Sequence, residues 1–316
     1  MTEQLEVNNT MSKHKMLELF GESLQMNTSL AEHSSFHTGG NATYFLQPQT
    51  IDDTTKAVAT AHSNHIPFLI IGGGSNLLIS DSGYDGLVIK IDIKGINLSN
   101  DNIIECGAGE ELMTLVDFAT ENSLQGIEFA AGIWGSVGGA VYGNAGAYGG
   151  EIKDVLTKIS LLDRKGHLKS VLPDYCQFGY RDSFLKETKE IILSIKLKLK
   201  NGNKEALQAK VDELLALRAS KHPIDQYCAG SFFKNIPDTK EKYGKLPAGR
   251  LLEQIGAKNI SVGGAKVFDK HANIIINDGT ATSKDIRELA DILKKKVFDM
   301  YGITLEDEVI SIGDFK

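Results

Sequence analysis

Between Gly126 and Gly150 the chain reads GIEFAAGIWGSVGGAVYGNAGAYGG, in which nine of twenty-five residues are Gly and five are Ala. No ordinary helix or strand tolerates that density, because each Gly loses extra backbone entropy on ordering. A globular chain keeps such a stretch where backbone must approach something closely, and a phosphate-bearing ligand is the commonest such partner. A second cluster, Gly72-Gly73-Gly74-Ser75-Asn76-Leu77, directly follows the apolar run Phe68-Leu69-Ile70-Ile71. Two such loops in one chain imply a large, bent ligand held at two points.

Neither loop is a standard nucleotide motif. A GxGxxG fingerprint beginning at Gly72 needs its third Gly at position 77, which is Leu, and the segment that follows reads as a strand rather than a helix. The GxxxxGK[ST] loop is absent. What remains at Gly72–Leu77 is a nest of successive backbone N–H groups able to hold a pyrophosphate. The open alternative is a Gly-rich turn without a ligand. In the longer stretch, small side chains would let a flat ring system lie against backbone, with Ser136 and Asn144 offering polar contacts. A tight crossing of two packed segments is the alternative there.

Composition narrows the classes. A net charge of −7 and a pI near 5.7 argue against non-specific nucleic-acid binding, which needs a basic face. The three cysteines, Cys106, Cys176 and Cys228, are widely spaced with no CxxC, so neither a disulfide framework nor a zinc site is expected. The first residues, MTEQLEVNNTMSKHKM, lack the apolar core of a signal peptide. No apolar run approaches the roughly 20 residues that span a bilayer. A cytoplasmic protein without membrane insertion is expected, with residues 1–15 disordered.

Periodicity places the elements. Thr50 and Asp53 form a capping box for a helix that buries Ala57, Val58 and Ala61 and ends before Pro67. Strands are expected at 42–46 and 68–71, then a hairpin-like pair at 76–79 and 86–91 around Asp81-Ser82-Gly83. A further strand at 103–106 precedes a helix marked by Leu112, Leu115, Val116 and Ala119. Strands follow at 157–162, 168–172 and 191–199. Leu207, Val211, Leu214, Leu215 and Arg218 define another helix. The last hundred residues hold a short helix, 248–255, and a long one capped by Ser283 and stopped by Gly302, flanked by strands at 272–276 and 309–312.

The motifs GGGSNLL, GIEFAAGIxGSVGGAVYxNAGAYGGE, YRDS, AGSFFKN, GGAxVxxKHANxIIN and LExEVxxIG occur in this order. Together they resemble the UDP-N-acetylenolpyruvoylglucosamine reductase family over about residues 35–313. The resemblance implies an α+β fold of the vanillyl-alcohol-oxidase (PCMH-like) type. Its FAD-binding lobes would span residues 1–80 and 81–215, and its C-terminal substrate domain residues 216–316. FAD would be held by Gly72, Gly73, Gly74, Ser75, Asn76 and Leu77 and by Gly132, Gly135, Ser136, Gly138, Gly139, Asn144 and Gly146. Residues 72–79 contain no His, so non-covalent FAD is expected.

The implied reaction uses NADPH as co-substrate. A hydride reaches C3 of the enolpyruvyl group of a UDP-sugar and a proton reaches C2, giving UDP-N-acetylmuramate for peptidoglycan. Arg181 matches the charge-stabilising arginine, and a permanently charged, bidentate guanidinium suits a developing enolate. Ser231 matches the proton donor. Glu308 matches the catalytic glutamate, as acid or orienting group, a role that requires a raised pKa. Glu306 and Asp307 read as solvated. Lys221, Asn235 and His271 match substrate-binding positions. The short span from Arg181 to Ser231 resembles the subtype that lacks an extra tyrosine-bearing loop. A monomer is expected.

Three places depart from the family pattern: Trp134 for proline, His37 for a basic or hydroxyl residue, and Gln226-Tyr227-Cys228 for a proline–serine step. The rival readings are another FAD-dependent oxidase or dehydrogenase of the same fold, acting on a hydroxy acid or sugar, and a binding module without catalysis.

Overall fold

The computed structural model describes residues 15–241 and 244–315. The N-terminal segment expected to be disordered falls, up to residue 14, outside the described residues. The chain divides into two compact units, each discontinuous in sequence: residues 1–28, 42–73 and 85–214 form one, and residues 29–41, 74–84 and 215–316 the other.

The first unit is built on two sheets. One has four strands in the order Gln25–Ser29, Asn41–Leu46, Tyr84–Lys90, Phe68–Ile71, the last two running parallel. Thr50 caps the helix Ile51–Ser63, its hydroxyl accepting from the Asp53 N–H at 3.0 Å, and Ala57, Val58 and Ala61 are buried as the periodicity requires. The other sheet is antiparallel, in the order Leu168–Val171, Leu156–Leu162, Ile191–Lys198, Ile103–Gly107, Ile96–Ser99. Its central strand, IILSIKLK, buries Ile191, Ile192, Leu193, Ile195 and Leu197. The helix Leu112–Glu121 buries the four residues that predicted it.

The second unit has a four-stranded antiparallel sheet in the order Tyr227–Ser231, Ile274–Asn277, Ala265–Val267, Ser261–Val262. The helices Ala248–Gln254 and Ser283–Tyr301 contribute to the core of this unit. Phe36, Phe232 and Phe233 are fully buried in it beside Leu252, Ile286, Leu289 and Leu293. Burying side chains of this size contributes about 1.5–3 kcal/mol each.

Two local expectations are corrected. Thr282, not Ser283, caps the long helix, in a capping box with Asp285. The Ser283 hydroxyl instead accepts from the Asp81 N–H at 2.8 Å, and the Asp81 carboxylate accepts from the Ser283 N–H at 3.0 Å. The hairpin-like pair does not form either. Leu77–Ile79 pairs in parallel with Ile310–Ile312, whereas Tyr84–Lys90 belongs to the four-stranded sheet of the first unit. The turn between them is real, with the Gly83 N–H on the Ser80 carbonyl at 2.9 Å. Turn residues specify a reversal, however, and not which strands pair beyond it.

Candidate active site

The two Gly-rich loops, expected to grip a ligand at separate points, meet inside the first unit. A Cβ on Gly73 would sit 2.9 Å from Gly135 Cα and 3.0 Å from the Ser136 nitrogen, and one on Gly72 would sit 2.4 Å from Ser136 Oγ. Only glycine permits this backbone-to-backbone approach. Gly138 supports it from behind, its N–H bonded to the Ala108 carbonyl at 2.8 Å. Ser136 caps the short helix Val137–Tyr142 by accepting from the Gly139 N–H at 3.2 Å. Among the described residues the N–H groups of Gly72, Gly73 and Ser136 have no hydrogen-bond acceptor. Three donors where the loops touch are what a pyrophosphate requires, so the residues present fit a dinucleotide. Gly132, at φ +69°, begins the turn into this loop. Beside it, Trp134 is 49% exposed.

The segment carrying Arg181 is fastened to the same stretch by three side-chain-to-backbone hydrogen bonds. Ser183 Oγ donates to the Tyr142 carbonyl at 2.7 Å, Asn144 Nδ2 to the Gly179 carbonyl at 2.8 Å, and Arg181 Nη2 to the Gly146 carbonyl at 2.5 Å. Asn144 is fully buried; its Nδ2 also reaches Glu151 at 3.1 Å and its Oδ1 accepts from the Lys153 N–H at 3.3 Å. Its amide therefore holds the loop together. Arg181 has φ +55°, left-handed backbone that a non-glycine residue adopts at a cost. The sequence motif brings the guanidinium to the glycine loop through that strained turn.

The unit boundary falls between Gly73 and Gly74, so Gly74, Ser75, Asn76 and Leu77 are placed with the second unit. The Gly74 carbonyl accepts from the Ser35 N–H at 3.1 Å. Asn76 Nδ2 donates to the Glu308 carbonyl at 2.9 Å, and the Ile310 N–H returns to the Asn76 carbonyl at 3.0 Å. Asn76 thus orders the segment bearing Glu308. Glu308 in turn donates its N–H to the Phe232 carbonyl at 2.8 Å, one residue beyond Ser231. Among the described residues the Ser231 hydroxyl makes no hydrogen bond. Glu306 is exposed, as expected of a solvated carboxylate, and paired at the surface, whereas Asp307, also expected to be solvated, is half-buried and paired. Lys234 holds Glu306 at 2.5 Å, while Arg287 and Lys294 hold half-buried Asp307 at 2.9 and 2.8 Å.

His271 packs on His222, a residue that the sequence reading passed over, with ring centroids 5.6 Å apart. Its signal was its place directly after Lys221, at the end of the helix Lys204–Ala219. Burial, then the charges of Arg218, His271 and Lys221, pushes the His222 pKa down to about 4. Burial, with Lys221 and Lys258 nearby, lowers that of His271. Both rings are therefore neutral at pH 7 in a cationic setting suited to an anion. Asn235 Oδ1 accepts from the Ala248 N–H at 3.1 Å, which fixes the amide and leaves both its N–H groups to offer.

The His222 shift has a stability consequence. Its folded pKa lies below the ordinary 6.5, so the unfolded chain binds the proton more readily. The resulting loss of stability is absent above pH 6.5, grows as pH falls below it, and is complete below about pH 4. His222→Gln is expected to flatten the decline of Tm over that range. Parallel wild-type and variant curves would contradict this.

The three cysteines are buried free thiols, and burial raises the pKa of Cys106 to about 12 and of Cys176 to about 11, which makes neither a thiolate nucleophile. Among the described residues no group of three or more His, Cys, Asp or Glu side chains could hold a metal ion, and no helix is long and apolar enough to cross a membrane.

Residues 42–171 match the family described as FAD binding domain, and residues 222–312 match UDP-N-acetylenolpyruvoylglucosamine reductase, C-terminal domain. Relatives named UDP-N-acetylenolpyruvoylglucosamine reductase from Listeria innocua and Anoxybacillus flavithermus are 40% and 36% identical to the chain. Those alignments cover 93% and 95% of this chain and 96% and 98% of the relatives. The chain belongs to the UDP-N-acetylenolpyruvoylglucosamine reductase family. A crystal structure of UDP-N-acetylenolpyruvylglucosamine reductase from Thermus caldophilus matches its fold with a TM-score of 0.77 at 31% identity, over 90% of this chain and 98% of that one. The expected α+β, FAD-binding fold class holds.

Two residues at positions read from the sequence as departing from the family pattern lie against each other. His37 and Tyr227 stack, with ring centroids 3.9 Å apart and planes 23° from parallel. The Tyr227 ring thus finds a flat partner on the segment 29–41.

Proposed function

We propose that this chain reduces the enolpyruvyl group of UDP-N-acetylglucosamine enolpyruvate to give UDP-N-acetylmuramate, a precursor of peptidoglycan, with NADPH as the reductant. It acts in the cytoplasm as a monomer. The observation that carries the reading is the backbone bond from Glu308 to Phe232, which keeps a carboxyl-bearing residue beside a serine whose hydroxyl makes no hydrogen bond among the described residues. A proton-delivering pair is what reduction of an enol ether needs, and an oxidase would have no use for it.

Non-covalent FAD is held by the backbone of Gly72, Gly73 and Ser136, with Gly132, Gly135, Gly138, Gly139, Asn144 and Gly146 shaping the loop around it. When bound, FAD supplies the hydride that NADPH provides. The chain's own residues manage the charge and the proton. Hydride addition at C3 leaves an electron pair at C2, conjugated with the substrate carboxylate. Arg181 keeps its charge at every working pH and stabilises that enolate. The Ser231 hydroxyl gives its proton to C2, and Glu308 orients or recharges it. Lys221, His222, His271 and the N–H groups of Asn235 favour the anionic diphosphate of the UDP-sugar.

The test uses the purified protein under anaerobic conditions. NADPH should bleach its yellow colour, and UDP-N-acetylglucosamine enolpyruvate should restore it. Acid precipitation should release the flavin to the supernatant. A bleached protein that the UDP-sugar cannot reoxidise would remove the assignment.

A further inference from the structure

Ser231 ends a strand whose ladder is broken beside it. In the pairing of Tyr227–Ser231 with Ile274–Asn277, Cys228 faces Ile276 but Ser231 faces Ile274, with a register shift between them. Gly230 within the shift has φ +74°, and a Cβ placed there would meet nothing within 4 Å. This is a β-bulge, a device that re-aims the side chain after it.

Beyond Ser231 the partner strand has begun, at Ile274, and the backbone of Phe232 and Phe233 needs other partners. Asn273 supplies them. Its carbonyl accepts from the Phe232 N–H at 2.7 Å. Its side chain, 3% exposed, accepts from the Phe233 N–H at 3.0 Å and donates to the Phe233 carbonyl at 2.8 Å. The side-chain amide thus pairs with Phe233 as another peptide group would. On the opposite edge the Phe232 carbonyl receives the Glu308 N–H at 2.8 Å, Phe233 bridges Asp307, and the Lys234 N–H reaches the Glu306 carbonyl at 2.8 Å. Two adjacent residues are gripped from both edges. Ser231 precedes them, and Glu308 is one of the grips.

The geometry points to Asn273 as a positioning residue for proton delivery: its amide clamp, with the bulge at Gly230, sets where Ser231 stands relative to Glu308. This rests on the assignment of Ser231 and Glu308 made above. Asn273 hydrogen-bonds the backbone of Phe232 and Phe233, so its effect is exerted through that backbone. A proton donor misplaced by a fraction of an ångström loses much of its worth, whereas steps that do not involve it are untouched.

Asn273→Asp keeps the shape and the acceptor but replaces the donor to the Phe233 carbonyl with a second oxygen. With the flavin-loaded enzyme in anaerobic stopped flow, reduction by NADPH is expected to stay within about twofold of wild type, and reoxidation by saturating enolpyruvyl substrate to slow about 10–100-fold, with KM little changed. Unchanged reoxidation overturns the proposal. So does a proportional fall in both half-reactions, the mark of a purely structural role. If Asn273→Asp does not fold, Gly230→Ala carries the same test, since the space around its Cβ is open and its strain falls on the bulge alone. It must show the same split between half-reactions, and equal loss in both overturns the proposal. A wild-type enzyme that the substrate cannot reoxidise sinks the underlying assignment, whereas active wild type with an unaltered variant sinks only this inference.

Discussion

Ser231→Ala slows reoxidation of the NADPH-reduced enzyme by its enolpyruvyl substrate about 10²–10⁴-fold, the usual worth of a positioned general acid, and leaves reduction by NADPH near the wild-type rate. The split follows from placement. The Ser231 hydroxyl makes no hydrogen bond among the described residues, so its removal leaves no buried partner unsatisfied. Ser231 is assigned only to the proton that reaches C2, which moves after the enzyme has been reduced. Thermal stability should therefore change little. The decisive reading is the ratio of the two half-reaction rates in stopped flow. Equal reoxidation rates for variant and wild type would take Ser231 out of the chemistry.

Gly73→Val gives a protein that purifies colourless, with its Kd for FAD raised at least about 100-fold. A Cβ at this position would lie 2.9 Å from Gly135 Cα and 3.0 Å from the Ser136 nitrogen, and backbone atoms cannot rotate away as a flexible side chain can. Two further methyl groups make relief by a small shift impossible. The loops must separate, and the N–H groups of Gly72, Gly73 and Ser136 no longer lie together. Far-UV circular dichroism should show the fold retained, because Gly73 is an exposed loop residue. A correctly folded variant that binds FAD as tightly as wild type would mean that these loops do not hold the pyrophosphate.

Local chemistry was the legible part of this chain. The Thr50 cap, the stripe of Leu112, Leu115, Val116 and Ala119, and the Gly302 stop were all readable because each depends on residues within one or two turns. The apparent hairpin was not, because the partner of Leu77–Ile79 comes from the other end of the sequence. The cap of the long helix shows the same limit. Thr282 and Ser283 are both good capping residues, and only the distant Asp81, bonded to Ser283, decides between them.

At the candidate site, residue type was readable and side-chain duty was not. Asn144 and Asn76 sit in Gly-rich loops, where an amide suggests a ligand contact. Their Nδ2 groups bind Gly179, Glu151 and the Glu308 carbonyl instead. Asp307 looked like a loop carboxylate because Arg287 and Lys294 are distant in sequence. His222 carried no motif, its one sequence signal being its place after Lys221, and its packing on His271 brings it into view. Asn273 was visible merely as one letter of KHANxIIN, since a clamp on Phe233 cannot be read from spacing.

The most direct measurement is steady-state NADPH oxidation by the purified holoenzyme, followed with and without UDP-N-acetylglucosamine enolpyruvate, in air and without oxygen. NADPH consumption is expected to require the UDP-sugar, to match UDP-N-acetylmuramate formed mole for mole, and to continue without oxygen. Consumption that ignores the UDP-sugar and stops when oxygen is removed would contradict the reductase assignment and identify the chain as an oxidase of the same fold.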